Sequence, residues 1–159
     1  MVIIISDEEQ DYEMLNIEGV FSLLNGDLAK AKELFIKASE IEENDFESLC
    51  NLGKVYTIEG ELEKAIDFFL KSIEKNPTFI ESQHNIGVAY YKIGDIDQAI
   101  NYYQNAVAID DKYFQSLFNL GNSYYEKSDA NQAIMWYKRT IDANPNFLDA
   151  YFNLGNIYR

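Results

Sequence analysis

Apolar side chains recur along this chain with a helical period. Leu49, Leu52, Gly53 and Tyr56 stand at i, i+3, i+4 and i+7, one face of a 3.6-residue repeat, and Leu117, Leu120, Gly121 and Tyr124 draw the same face further on. A second stripe runs through Leu62, Ala65, Ile66, Phe69 and Ile73. Gly60-Glu61 separates the two stripes, Gly26-Asp27 and Gly94-Asp95 repeat that pair, and Ser128-Asp129 takes its place once. Glycine closes a helix by accepting a left-handed backbone, and the acid after it caps the next helix. Asp95 with Gln98 and Asp129 with Gln132 have the spacing of capping boxes. Asn76-Pro77 and Asn144-Pro145 break the chain between helices. The pattern predicts short helices in pairs, an all-α chain.

The pairs share one register. Gly19, Gly53, Gly87, Gly121 and Gly155 recur every 34 residues, as do Ala31, Ala65, Ala99 and Ala133, and the rings of Phe35, Phe69, Tyr103 and Tyr137. Four full units follow, 12–45, 46–79, 80–113 and 114–147, after an N-terminal segment 1–11 and before a partial fifth repeat or terminal helix, 148–159. One helix pair cannot bury both of its faces, so the units must stack.

A small residue in the first helix, alanine in the second, an aromatic four residues later and proline near the unit's end resemble the tetratricopeptide repeat (TPR) family over residues 12–159. The resemblance implies a right-handed superhelical solenoid of antiparallel helix pairs. It also implies that first-helix positions 2, 5, 6, 9, 12 and 13 line a concave, peptide-binding groove. Position 6 holds Asn51, Asn85, Asn119 and Asn153, similar to the asparagine ladder of the TPR superhelix in O-GlcNAc transferases. An amide both donates to a peptide carbonyl and accepts from its N–H, so such a row suits an extended backbone; the same amides also suit bonds between neighbouring helices. Lys54, Asn122 and Asn156 stand at position 9, and Tyr91 and Tyr125 at position 12. Phe118 and Phe152 stand at position 5, after Asn16, Cys50 and His84. These rings are either groove anchors or packing against the adjoining helix. Position 2 carries Glu13, Glu47, Glu81, Gln115 and Asp149, an acidic edge or simply support for the helix dipole.

The two ends read differently. Ile17-Glu18 replaces the Asn-Leu or Asn-Ile that precedes the other glycines, and a charge there reads as an N-terminal cap whose outer face stays wet. Tyr151, Phe152, Leu154, Ile157 and Tyr158 make the last helix apolar on much of its surface. Tyr151, Phe152, Leu154 and Tyr158 are therefore candidates for self-association, with the apolar Val2–Ile5 segment a second candidate. A longer array cut at this point is the competing explanation.

Charge and composition narrow the partners. Lys and Arg total 13 against 27 Asp and Glu, a formal net charge of −14, which disfavours nucleic acid and anionic membranes and favours neutral or basic protein or peptide partners. No apolar run approaches a membrane span, so no membrane insertion is expected, and no basic n-region marks a secretory signal. The single cysteine, Cys50, fits a reducing compartment, and the expected location is cytoplasmic. Cys50 and His84, the only cysteine and histidine, share position 5 in adjacent units, but no orienting partner or oxyanion motif accompanies them. No zinc spacing, phosphate loop or calcium loop occurs, so no enzyme activity, metal or cofactor is expected.

The leading expectation is a non-catalytic scaffold that holds an extended segment of another protein. The alternatives are a self-assembling scaffold and the substrate-recognition arm of a larger enzyme such as an O-GlcNAc-transferase-like glycosyltransferase. TPR co-chaperones clamp an acidic C-terminal tail with lysines at positions 2 and 5 and arginine at position 6. This chain has acids or glutamine at 2, non-basic residues at 5 and Ile or Asn at 6, which would repel such a tail. The register makes a stability prediction of its own: Ala99→Leu should overpack the middle of the array and cost roughly 1–3 kcal/mol. A thermal melt unchanged from wild type would contradict the register.

Overall fold

In a computed structural model, which describes residues 7–42 and 45–159, the described residues form nine α-helices and no strand. They are α1 (Asp7–Leu24), α2 (Leu28–Ile41), α3 (Phe46–Glu59), α4 (Leu62–Lys75), α5 (Ile80–Ile93), α6 (Ile96–Ile109), α7 (Phe114–Glu126), α8 (Ala130–Ala143) and α9 (Leu148–Ile157). The fold class is an all-α helical repeat solenoid. Val2–Ile5 lies outside the described residues. Helix α1 begins at Asp7, so it includes part of the segment 1–11 that the repeat register leaves outside the first unit. The helices fall into two compact units, Met1–Phe79 and Ile80–Arg159.

The turns follow the sequence closely. Asp27, Asp45, Asp95 and Asp129 each accept a hydrogen bond from the backbone N–H three residues on. Gly26, Gly60 and Gly94 adopt φ of 78°, 81° and 93°. Ser128, at φ 59°, takes the same left-handed turn without glycine, a strain that its short polar side chain tolerates. The breaks after α4, α6 and α8 share another device. Asn76, Asp110 and Asn144 accept from the backbone N–H two residues later, so the turn forms at Asp110 without a following proline.

Packing within each pair turns on one contact. An added Cβ would come within 2.6 Å of Phe35 at Gly19, 2.5 Å of Phe69 at Gly53, 2.6 Å of Tyr103 at Gly87 and 2.4 Å of Tyr137 at Gly121. The ring of each second helix therefore lies directly on the backbone of the first. All four rings are at most 1 % exposed, and Ala31, Ala65, Ala99 and Ala133 are fully buried beside them. In the first unit Ala31, Phe35, Leu52 and Val55 join α2 to α3. In the second, Ala99, Ile100, Tyr103, Val107, Leu117, Leu120 and Trp136 form the core.

The first helix departs from the expected polar cap. Glu18 is exposed as expected, but Met14, Ile17, Phe21 and Leu24 are 59–80 % exposed on the same helix. The residues one repeat later, Ser48 and Val55, are buried at the positions of Met14 and Phe21, with Val55 packed against α2. Among the described residues no helix covers the corresponding face of α1. One wet glutamate does not make that face polar.

Two predictions follow from this packing. Gly121→Ala should destabilise the protein, because its Cβ would drive into the buried ring of Tyr137. Gly155→Ala meets nothing within 4 Å and should stabilise by up to about 1 kcal/mol through helix propensity, so chemical denaturation should give opposite signs for one substitution. The second concerns His84, whose Nδ1 lies 2.8 Å from the Ser116 Oγ and whose ring packs on Tyr103 and Tyr113. Burial lowers its pKa from 6.5 to about 4, against a small opposing pull from Glu81. The unfolded chain then binds the proton first, so the stability His84 contributes is full above about 6.5 and is lost as pH falls toward 4. The sole imidazole should titrate by NMR near 4; a midpoint near 6.5 would contradict its burial.

Candidate functional site

A cleft of about 140 Å³ opens in the second unit between Tyr91, Asn122, Tyr125, Glu126, Tyr137, Asn153 and Asn156. Helices α5, α7, α8 and α9 each contribute, because one register puts equivalent positions of successive first helices side by side. Four of the sequence candidates, Tyr91, Asn122, Tyr125 and Asn153, meet here, and Asn156 joins them from position 9.

A small network orders the amides. The Tyr137 hydroxyl donates to Asn122 Oδ1 at 2.8 Å, and Asn153 Nδ2 donates to the same oxygen at 3.0 Å and to the Tyr137 hydroxyl at 3.4 Å. Asn119 bonds the Tyr103 hydroxyl one repeat earlier. Asn119 and Asn153 of position 6 are thus tied to tyrosines of the preceding second helix, the inter-helix role that the amide ladder left open. Burial pushes the Tyr137 hydroxyl up to about 12, opposed by the Asn153 hydrogen bond, so it remains a donor at neutral pH. Tyr91 is raised as well, first by burial and then by the Glu126 carboxylate 3.5 Å from its hydroxyl. Tyr125 is 55 % exposed and presents its ring to solvent.

The cleft combines aromatic surface, amides able to donate and accept, and one carboxylate. Such groups can hydrogen-bond a polar ligand and pack against its apolar parts. The cleft holds no nucleophile paired with a base. Among the described residues no group of three His, Cys, Asp or Glu side chains is placed to hold a metal ion. No described helix is long and apolar enough to cross a membrane.

The remaining candidates lie elsewhere. Phe118 does not line the cleft; it packs edge-on against Phe147 at 4.9 Å and tilted against Tyr137 at 5.8 Å. At the same position 5, His84 is also spent on packing, against Ser116 of the next first helix, whereas Phe152 stays exposed. Cys50, at the same position, is 1 % exposed. Asn119 and Asn85 are half-buried and outside the cleft lining. Asn51 belongs to the first unit, where Lys54 Nζ donates to its Oδ1 at 3.3 Å. Tyr151, Phe152 and Tyr158 are 46, 69 and 63 % exposed, whereas Leu154 is half-buried. The sequence reading missed Glu126 and Tyr137. Glu126 stands at position 13, already among the groove positions, while Tyr137 was assigned to packing and its hydroxyl overlooked.

Known proteins repeat this architecture. A tetratricopeptide-repeat family matches residues 78–146, and a second TPR repeat family matches residues 53–94. A search of curated proteins finds no match by sequence. The crystal structure of MamA superimposes with a TM-score of 0.81 at 28 % identity, covering 94 % of this chain and 81 % of that one. YrrB, described as a TPR protein with an unusual peptide-binding site, gives 0.74 at 18 % identity over 96 % and 82 % of the two chains. The first TPR of Spaghetti (RPAP3), bound to the HSP90 peptide SRMEEVD, gives 0.70 at 22 % identity over 74 % and 93 %. The 34-residue register, the glycine–ring contact beneath it and these matches agree: the chain belongs to the tetratricopeptide-repeat proteins.

Proposed function

We propose that this chain is a non-catalytic interaction scaffold that holds an extended segment of a partner protein along its first helices. TPR repeats are generally interaction modules, and two of the similar structures are described as peptide-binding. The observation that carries the reading for this chain is the cleft of the second unit. Its amides are fixed by Tyr137 before any ligand arrives, which lowers the ordering cost of binding. Tyr125 supplies an exposed aromatic anchor, and Glu126 favours a lysine or arginine nearby. Asn51 and Lys54 stand at the same register positions in the first unit.

An acidic tail is the wrong ligand. Exposed Glu13, Glu47, Glu81 and Asp149 occupy position 2, where a carboxylate clamp needs lysine. Peptides ending like SRMEEVD should therefore not bind. A second reading, self-association, is favoured by the exposed Tyr151, Phe152 and Tyr158.

The test uses peptides selected on the protein from a displayed random 12-residue library and measured by titration calorimetry. Selected sequences should be neutral or basic. Tyr125→Ala and the pair Asn122→Ala/Asn153→Ala should each weaken binding about ten-fold, roughly 1.4 kcal/mol, with native circular dichroism. Undiminished affinity in both variants would move recognition away from the cleft.

A further inference from the structure

The cleft of the second unit is small for a stretch of backbone. Its volume of about 140 Å³ is close to that of a cavity of about 150 Å³ that takes one benzene ring. It therefore admits the end of one side chain, while the segment that carries the side chain stays outside. Residues of α5 and α9 line it from either side of α7, so it is not an end face of the array.

The groups around it are short of donors. Asn122 Oδ1 already accepts from Tyr137 and Asn153. Asn153 spends its Nδ2 on that network, and nothing among the described residues donates to its Oδ1. The Asn156 side chain has no hydrogen bond among the described residues. Glu126 receives one long bond, from the Tyr91 hydroxyl at 3.5 Å. No lysine or arginine among the described residues pairs with it, and its neighbour Lys127 turns to Asp97 instead. The Tyr125 ring, 55 % exposed, stands beside these acceptors. Two amide oxygens, a carboxylate and an open ring face call for a group that is cationic, flat and rich in N–H.

We infer that the cleft seats one arginine side chain of the bound segment, its guanidinium bonded to the Glu126 carboxylate and to the Asn153 and Asn156 amide oxygens and laid against the Tyr125 ring. This deepens the peptide-binding reading of the cleft and rests on it. A guanidinium brings five N–H donors and no acceptor in a planar fork, stacks on aromatic faces and is weakly hydrated. Lysine offers three donors on a compact, strongly hydrated charge, with no plane to lay on the ring. A neutral amide side chain leaves the Glu126 charge uncompensated, and an aliphatic one leaves every acceptor without a donor. The amide N–H groups of Asn122 and Asn156 remain for a carbonyl of the same segment.

The probes are four nonapeptides of glycine and serine, blocked at both ends, with arginine, lysine, citrulline or alanine at the centre. Citrulline keeps the shape of arginine without its charge. Binding to the ¹⁵N-labelled full chain is read by NMR from the side-chain amide signals of Asn122, Asn153 and Asn156, which report the cleft itself. The arginine peptide should shift these signals saturably, the lysine peptide about three-fold more weakly and the citrulline peptide about ten-fold more weakly. Glu126→Gln, at an exposed position, should weaken the arginine peptide about five-fold. Glu74→Gln removes the same charge at an exposed position of α4 and should leave binding unchanged. Equal affinity for the lysine peptide overturns the choice of guanidinium. Equal affinity for the citrulline or alanine peptide, or an unaffected Glu126→Gln, overturns the inference and leaves peptide binding in the cleft standing. If no peptide moves the cleft amides the inference falls. Library-selected peptides that Tyr125→Ala weakens would then still uphold the peptide reading, and selected peptides indifferent to Tyr125→Ala and to Asn122→Ala/Asn153→Ala would sink both. Blocked arginine alone should bind more weakly than the nonapeptide; equal affinity would make the ligand a free guanidine and overturn its place in a protein segment.

Discussion

The contact between a glycine backbone and an aromatic ring sets the geometry of every helix pair. Gly53 under Phe69 and Gly121 under Tyr137 bring two helices closer than any side chain at those positions would allow. Each glycine costs about 1 kcal/mol of helix propensity relative to alanine. Each fully buried ring returns roughly 1.5–3 kcal/mol. The exchange is favourable only while ring and glycine keep register, so the contact specifies alignment along with stability. The fully buried alanine four residues before each ring serves the next contact: Ala31 packs in one cluster with Leu52 and Val55, and Ala99 in one with Leu117 and Leu120.

Fixing the pairs in this way leaves other positions of each first helix outside the ring contact. In the second unit the ring that seats on Gly121 also carries the hydroxyl that binds Asn122 and Asn153. Packing and the candidate groove are therefore joined through Tyr137. Tyr103 and Asn119 repeat the link one unit earlier. Where the ring is Phe35 or Phe69, no hydroxyl exists to hold the next amide. The two later repeats thus have ordered asparagines for a reason that the two earlier ones lack.

Most of the fold was legible because it rests on contacts local to the register. Gly60, Gly94 and Asp95 state their turns by residue type, and the recurring glycine, alanine and ring state the pairs. The cleft was only partly legible. Tyr91, Tyr125, Asn122 and Asn153 follow from helix position, but Phe118 does not, because its ring is taken up by Phe147 and Tyr137. A periodic pattern gives the angle of a side chain around its own helix, not the height at which the next helix intercepts it. Tyr137 was hidden for a related reason: its ring is core while its hydroxyl reaches the cleft, and residue type alone does not divide one side chain between two surroundings. The exposed stripe of Met14, Ile17, Phe21 and Leu24 shows the same limit, since a repeat unit read alone does not reveal whether a neighbour covers it.

Charge and apolar exposure pull in opposite directions on this chain. A formal charge of −14 opposes the approach of a second copy, while α1 and α9 present apolar stripes that favour contact. The conflict is least for an occupant that brings apolar surface without negative charge. On the proposed reading of the cleft, Glu126 in its lining would discourage a negative peptide.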